Sequence, residues 1–131
     1  MNSTSGPSKL NNTAVNALPY KASIIITNYN YSKYVIGAIK SALAQTYLNR
    51  EIIVVDDGSK DNSVAVIQNF IASCPEKITL ISKENGGTAS ARNAGIKAAT
   101  GDFLCFMDAD DEYYPDKVAV SIGKLTEFPG I

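Results

Sequence analysis

Residues 22–27 read ASIIIT, and this short run of apolar and β-branched residues decides the fold because it predicts a buried strand. Similar apolar runs follow at 51–55, 77–81 and 103–107. Helical patterns alternate with these runs, over about 35–43, 62–73, 88–99 and 115–125. Continuous apolar strands that alternate with helices are typical of parallel sheets covered on both faces. The sequence therefore predicts a three-layer α/β/α domain with a mostly parallel, Rossmann-like sheet.

The composition limits the size of the domain and its chemistry. The 131 residues suffice for one domain or part of one, and 45% of them are hydrophobic. The net charge of −1 lacks the basic excess of nucleic-acid-binding proteins, so no nucleic-acid partner is expected. No apolar run approaches the roughly 20 residues that span a bilayer, so no transmembrane segment is expected. Because histidine is absent, catalysis would rely on carboxylates, other polar side chains or a metal held by oxygen.

The first 19 residues differ in composition from the rest of the chain. They are rich in Ser, Asn and Thr, they carry one charge at Lys9, and they show neither the strand nor the helix period. Chain termini of this kind are commonly disordered. We therefore expect a disordered or extended tail over 1–19 and a folded domain over 20–131.

Polar segments follow three of the predicted strands at the point where each strand ends. These segments are TNYN at 27–30, DDGS at 56–59 and DADD at 108–111. In open parallel sheets, ligands bind outside the carboxyl ends of the strands. If the three strands are neighbours, their ends form one rim that carries five aspartates. The rim is thus the predicted functional site.

The last of these segments predicts a site for a divalent cation. Asp108 and Asp110 stand at positions i and i+2 of an extended chain and can converge, and Asp111 is adjacent. Two carboxylates held close repel each other, and a cation removes that conflict. Ligands that are all oxygen favour magnesium, manganese or calcium over zinc. An acidic, solvated turn that caps the next helix is the structural alternative.

The middle segment offers a carboxylate to a ligand. A buried strand that ends in Asp56 and Asp57 is costly unless the carboxylates have partners. Asp57 could accept a hydrogen bond from a ligand N–H, such as the imide of a pyrimidine, or it could be a turn residue before Gly58. Further along, Arg92 could pair with a phosphate or with a carboxylate of the rim.

Taken together, these segments resemble family 2 inverting glycosyltransferases with the GT-A fold. The resemblance rests on SIIITNYN (23–30), VVDDGS (54–59) and NGGTASARNAGIKAATGDFLCFMDADDEYYPDKV (85–118), and it covers about residues 21–126. It implies an enzyme that uses a nucleoside-diphosphate sugar, with a UDP-sugar favoured, and Mn²⁺ or Mg²⁺ as the metal. The reaction implied is transfer to an acceptor hydroxyl in a single displacement with inversion.

The resemblance also implies roles for individual residues. It places Thr27, where many family members have proline, in the base pocket. The remaining roles are Tyr29 in the same pocket, Asn30 as a further residue of the nucleotide site, Asp57 on the uracil imide, Arg92 near the diphosphate, Asp108 near the ribose or sugar, Asp110 as direct metal ligand and Asp111 in support of the metal.

The resemblance further implies that one half of the enzyme is missing from these 131 residues. The carboxylate base is expected beyond Ile131, in an acceptor-binding half that would take a saccharide or a lipid-linked acceptor. We therefore expect donor binding without sugar transfer, and a homodimer through the open sheet edge. Two cysteines without a CxxC pair favour a cytoplasmic location, and analogy suggests the inner membrane face.

Three other functions use acidic residues at the ends of parallel strands. A phosphatase of the haloacid-dehalogenase type also has DxD after an apolar strand, but that motif normally opens the domain. A response-regulator receiver needs a lysine after a later strand, which the sequence does not reveal. A non-catalytic nucleotide-binding module is the third alternative.

Overall fold

The computed structural model describes residues 12–127 of the chain. Four strands alternate with five helices in this part of the protein. In chain order these are α1 (Asn12–Asn16), β1 (Ala22–Asn28), α2 (Val35–Leu43), β2 (Arg50–Asp56), α3 (Ser63–Ser73), β3 (Ile78–Ser82), α4 (Thr88–Ala98), β4 (Phe103–Asp108) and α5 (Lys117–Glu127).

The four strands form one parallel sheet in the order β3-β2-β1-β4. Ile26 in β1 lies opposite Val54 in β2 and Met107 in β4, so the strand ends are level. This register brings the segments that follow β2, β1 and β4 side by side. The predicted α/β fold with a parallel sheet is therefore confirmed, including the adjacency of the three strands on which the predicted site depends.

Helices cover both faces of the sheet, as the apolar strands require. One face packs against α2, α3 and α5 in the larger core, around Ile26, Val54 and Met107. The other face packs against α4, where Ala91 contacts a smaller cluster that includes Ile25 and Val55. None of the helices within residues 12–127 has the length and apolar character needed to cross a lipid bilayer.

The prediction of a disordered or extended tail is wrong for the part that the structure describes. Helix α1 occupies residues 12–16 and contacts α5, and Val15 is buried in the larger core. Asn16 fixes the helix to the loop after α2, because its side chain donates to the Thr46 carbonyl (2.9 Å) and accepts from the Leu48 N–H (2.8 Å). Residues 1–11, which make up the rest of the predicted tail, lie outside the described residues.

Small residues on α4 let this helix lie unusually close to the sheet. A Cβ added at Gly95 would lie 2.5 Å from the Cγ2 atom of Ile25 on β1. Overpacking of this kind costs about 1–3 kcal/mol, whereas alanine returns up to about 1 kcal/mol through its helix propensity. Glycine is therefore favoured here by packing and not by backbone conformation.

Gly95→Ala is expected to lower the free energy of unfolding by about 1 kcal/mol, because the clash outweighs the gain in helix propensity. Gly123→Ala on α5 is the matched control, since its Cβ would meet Val15 at an ordinary 3.7 Å. That variant should gain stability through helix propensity alone. Urea unfolding followed by circular dichroism measures both changes. Two shifts of the same sign would contradict the close approach of α4 to β1.

Candidate functional site

A cleft of about 230 Å³ lies at the carboxyl ends of β2, β1 and β4. Side chains from all three strand ends and from the start of α4 line it. They are Thr27, Asn28, Tyr29, Tyr31, Asp57, Thr88, Ala91, Asp108 and Asp110. Asp57 and Asp110 thus face one cleft, as a ligand bound by both residues would require.

Asp57 is 4% exposed and its carboxylate is fully engaged by the segment that follows β3. Oδ1 accepts from the Lys83 ammonium (3.0 Å) and the Gly86 N–H (3.0 Å). Oδ2 accepts from the Gly87 N–H (2.9 Å) and the Asn85 side-chain amide (3.3 Å). Burial by itself would raise the pKa of Asp57, but the donors from Gly86, Lys83 and Gly87 outweigh it and hold that pKa below its usual value.

Gly58 allows the segment after β3 to reach Asp57. Its φ of +75° lies in the left-handed region that favours glycine. A Cβ at Gly58 would lie 2.5 Å from the Asn85 backbone nitrogen. Any larger residue would therefore push Asn85 and the Gly86–Gly87 turn away from the carboxylate.

Asp56, the neighbour of Asp57, is held in the interior by hydrogen bonds to other residues of the rim. It is completely buried and accepts from the side-chain amide of Asn28 (2.9 Å) and from the N–H (2.9 Å) and hydroxyl (2.7 Å) of Ser59. These bonds tie the ends of β1 and β2 together. Asp56 thus stabilises the rim through these hydrogen bonds and does not line the cleft.

Asn30, predicted to be a residue of the nucleotide site, lies outside the lining of the cleft. Its φ is +59°, and its side-chain oxygen accepts from the N–H of Lys60 (2.8 Å) and of Asp61 (3.3 Å). The Ser59 hydroxyl accepts in turn from the Asn30 N–H (2.9 Å). Asn30 therefore holds the segment after β1 against the segment after β2.

Three carboxylates converge at the end of β4, and two of them, Asp108 and Asp110, line the cleft. Asp108, Asp110 and Asp111 each offer an oxygen within 4.8 Å of the others. Asp108 is half-exposed and also accepts from the Thr27 hydroxyl (3.2 Å), while Asp110 and Asp111 are exposed. A set of carboxylate oxygens that is open to solvent on one side fits Mg²⁺ or Mn²⁺, which keep positions for water or phosphate.

Arg92, predicted near the diphosphate, stands beside this acidic cluster. Its guanidinium lies 3.8 Å from Asp108 Oδ1 and 5.7 Å from the centre of the Phe106 ring. Both partners hold it outside the lining of the cleft, and nearly half of the side chain is exposed. The pairing lowers the negative charge of this cluster, although an ion pair with this exposure contributes little to stability.

Tyr29 and Tyr31 form the side wall that a flat ligand could contact. They are 38% and 41% exposed, and the Tyr31 ring meets Tyr34 edge to face at 5.9 Å. Large aromatic faces left open beside a polar cleft suit the stacking of a base.

Sequence reasoning missed Lys83 and Asn85, which hold the Asp57 carboxylate. Both follow β3, and the polar residues at that strand end were not assigned a role. The available signal was their position, because the carboxyl end of β3 lies beside that of β2 in the sheet.

Several known proteins are similar to this chain in sequence. A glycosyltransferase of Nostoc sp. (strain PCC 7120), described as uncharacterized, is 50% identical over 98 residues, which cover 75% of this chain and 30% of that protein. An uncharacterized glycosyltransferase of Rickettsia conorii is 51% identical over 105 residues, covering 80% of this chain and 17% of the relative. The chain thus spans a third or less of the length of these relatives.

Solved structures share the fold. A mannosyltransferase from Pyrobaculum calidifontis, described in complex with GDP-Man and Mn²⁺, superposes with a TM-score of 0.79 at 24% identity, over 84% of this chain and 33% of the other. S. aureus TarS in complex with UDP-GlcNAc gives a TM-score of 0.69 at 28% identity, over 82% of this chain and 31% of TarS.

The family model described as "Glycosyl transferase family 2" matches residues 23–129, which include all residues of the four strands except Ala22 and all residues that line the cleft. The match covers most of the chain, and the relatives named above are glycosyltransferases. This protein therefore belongs to glycosyltransferase family 2.

Proposed function

We propose that this chain is the donor-binding part of a metal-dependent, inverting glycosyltransferase that uses a nucleoside-diphosphate sugar. The observation that carries the proposal is that Asp57, at the end of β2, and the Asp108–Asp110 pair, at the end of β4, line one cleft with β1 between them. A nucleoside diphosphate has a base at one end and a charged diphosphate at the other. Such a ligand matches a cleft with a hydrogen-bond acceptor on one side and a cation site on the other.

The residues of the cleft divide into two groups in this proposal. Tyr29 and Tyr31 offer faces to the base, and Asp57 offers the carboxylate that accepts from a base N–H, with Thr27 in the floor between them. Asp110 and Asp108 would hold the divalent ion, with Asp111 in support. The N-terminus of α4, which begins at Thr88, presents backbone N–H groups and the positive end of the helix dipole to the diphosphate.

The chemistry follows from the charge that develops on the leaving group. Breaking the sugar–phosphate bond leaves negative charge on the diphosphate, and a bound divalent ion supplies Lewis-acid stabilisation of that charge. An acceptor hydroxyl that attacks from the opposite side inverts the anomeric centre and gives its proton to a base. We propose that this base is a carboxylate beyond Ile131, in the part of the relatives that this chain does not span.

We favour uridine as the nucleoside because the uracil imide has an N–H that can donate a hydrogen bond to an ionised Asp57. TarS, which shares 26–28% identity with this chain, is described in complexes with UDP and with UDP-GlcNAc. The acceptor is proposed to be a saccharide or a lipid-linked saccharide. Two free cysteines, Cys74 and Cys105, suit a cytoplasmic location, with work at the inner membrane face by analogy.

The homodimer stays a prediction. Within the described residues β4 is an outer strand of the sheet, and Leu104 and Phe106 on it are 41% and 37% exposed. Family membership argues against the phosphatase and receiver alternatives.

Titration of the 131-residue chain with UDP by calorimetry, with and without Mn²⁺, tests the proposal. We expect binding that Mn²⁺ strengthens, and no transfer or release of sugar from UDP-sugars, because the acceptor half lies outside these residues. The absence of UDP and GDP binding at millimolar concentration with Mn²⁺ present would refute the proposal. Measured sugar transfer would refute its donor-only part, and hydrolysis of a simple phosphate ester would favour a phosphatase.

A further inference from the structure

The Asp57 carboxylate has no free acceptor position in this structure. An ionised carboxylate offers about four lone-pair sites, two on each oxygen. Lys83 and Gly86 occupy Oδ1, and Gly87 and Asn85 occupy Oδ2. A base N–H that binds Asp57 must therefore replace one of these four donors.

The four donors differ in how readily they can leave. The N–H groups of Gly86 and Gly87 belong to one turn, which would have to move as a whole. The Lys83 ammonium is the cation of a largely buried ion pair, and it also donates to the Glu84 carbonyl (2.6 Å). The Asn85 amide has the longest bond, at 3.3 Å, and it keeps a second acceptor, the Asp57 main-chain carbonyl (3.0 Å).

We propose that Lys83 is a positioning residue for nucleotide recognition: it holds the Asp57 carboxylate and the Gly86–Gly87 turn in one arrangement, in which a base N–H enters at Oδ2 in place of the Asn85 amide. The inference rests on the proposed function for its ligand, but the positioning of the turn concerns the chain alone. Asn85 then marks, in the ligand-free protein, the position that a base donor takes.

This arrangement selects a class of base. Lys83 faces Asp57 from the segment after β3, whereas Asp108 and Asp110 face the same cleft from the end of β4. The N–H groups of Gly86 and Gly87 and the Lys83 ammonium together hold the pKa of Asp57 below its usual value against the effect of burial. An ionised carboxylate accepts and cannot donate. It therefore suits bases with a ring N–H, such as uracil, and disfavours cytosine, whose corresponding nitrogen is an acceptor.

Amide hydrogen exchange of the ligand-free protein, measured by NMR, tests the positioning step without any nucleotide. Lys83→Met removes the ammonium and keeps much of the stem, and it should speed exchange at Gly86 and Gly87 by about tenfold or more. Lys83→Arg should restore protection. Lys97→Met, an exposed lysine on α4, is the matched control and should leave both amides unchanged. Unchanged protection in Lys83→Met would overturn the proposal.

Binding of UDP-glucose between about pH 7 and about pH 5, and of CDP-glucose at about pH 7, tests recognition. UDP-glucose lacks the phosphate group that titrates near pH 6, so its charge stays constant over this range. Cytosine, in contrast, takes up a proton on its ring nitrogen toward acidic pH and would then donate to Asp57. The parent should prefer UDP-glucose by at least about tenfold, with a flat profile. Lys83→Met should bind UDP-glucose about tenfold more weakly, and more weakly still at the acidic end, because the Asp57 pKa rises without the ammonium.

The outcomes separate the two proposals. A parent that binds no nucleotide, with turn protection that depends on Lys83, would refute the proposed function and leave Lys83 as the residue that positions the turn. Parent-like affinity and pH profile in Lys83→Met would overturn the role of Lys83 in recognition. A parent that binds CDP-glucose as tightly as UDP-glucose would overturn the entry of a base N–H at Oδ2.

Discussion

Asp57→Ala is expected to weaken UDP binding about hundredfold, both with and without Mn²⁺. A hydrogen bond from the base to a charged acceptor contributes about 1.5–3 kcal/mol, which is about ten- to a hundredfold in affinity. The effect should reach the upper end because Lys83, Gly86 and Gly87 lose their shared acceptor in the same variant. The Gly86–Gly87 turn then loses its anchor at the same time as the base loses its acceptor. Calorimetry with UDP measures the change.

Asp116→Ala provides the matched control for charge. This residue is exposed, precedes α5 and does not line the cleft. It changes the net charge of the protein as Asp57→Ala does, so it controls for the overall charge but leaves the cleft itself unchanged. We expect near-parent UDP affinity for it. If Asp57→Ala also kept that affinity, Asp57 would be a structural residue of the turn and the base would be recognised elsewhere.

The carboxylates of the cleft could be predicted from the sequence because two regular properties place them. Apolar strands of matching pattern end together in a parallel sheet, and residues at i and i+2 of an extended chain point the same way. The first property places Asp57 and Asp108 on one rim, because the ends of β2, β1 and β4 are level in the sheet. The second property predicts the right grouping but not its cause, because β4 ends at Asp108 and a turn, closed by the hydrogen bond from the Asp111 N–H to the Asp108 carbonyl (2.9 Å), brings Asp110 to the cluster.

The partners of Asp57 could not be predicted in the same way. Lys83 and Asn85 reach the carboxylate through a segment without helix or strand period, and its path depends on the left-handed conformation of Gly58. The DDGS motif indicates a turn at that glycine. It does not indicate that the backbone nitrogen of Asn85 lies 2.5 Å from the position that a Cβ on Gly58 would take.

Helix α1 could not be predicted from the sequence for a different reason. Five residues are too few to show a helical period, and the Ser- and Asn-rich context favours disorder when the sequence is considered alone. The helix exists because Val15 is buried in the larger core and Asn16 bonds the loop after α2. Tertiary contacts thus override the local composition, as they often do in short helices.

Asp110→Ala is expected to remove most of the strengthening that Mn²⁺ gives to UDP binding, about a hundredfold at saturating metal, and to leave the metal-free affinity near that of the parent. The reason is that the variant leaves Asp108 and Asp111 as the carboxylates of the cluster, and Asp108 is already paired with Arg92 and Thr27. Titrations of UDP with and without Mn²⁺, together with Mn²⁺ binding followed by electron paramagnetic resonance, measure both effects.

The pattern across the two variants is more informative than either loss alone. Asp57 acts on the base and Asp110 on the diphosphate through the metal, so the Asp57→Ala/Asp110→Ala double variant should show additive losses when Mn²⁺ is present. Asp110→Asn should behave like Asp110→Ala, because a neutral amide oxygen replaces the charge that balances the cation. Equal losses for Asp57→Ala and Asp110→Ala in the absence of metal would mean that the cleft fails as a whole. The separate assignment of its two sides would then be wrong.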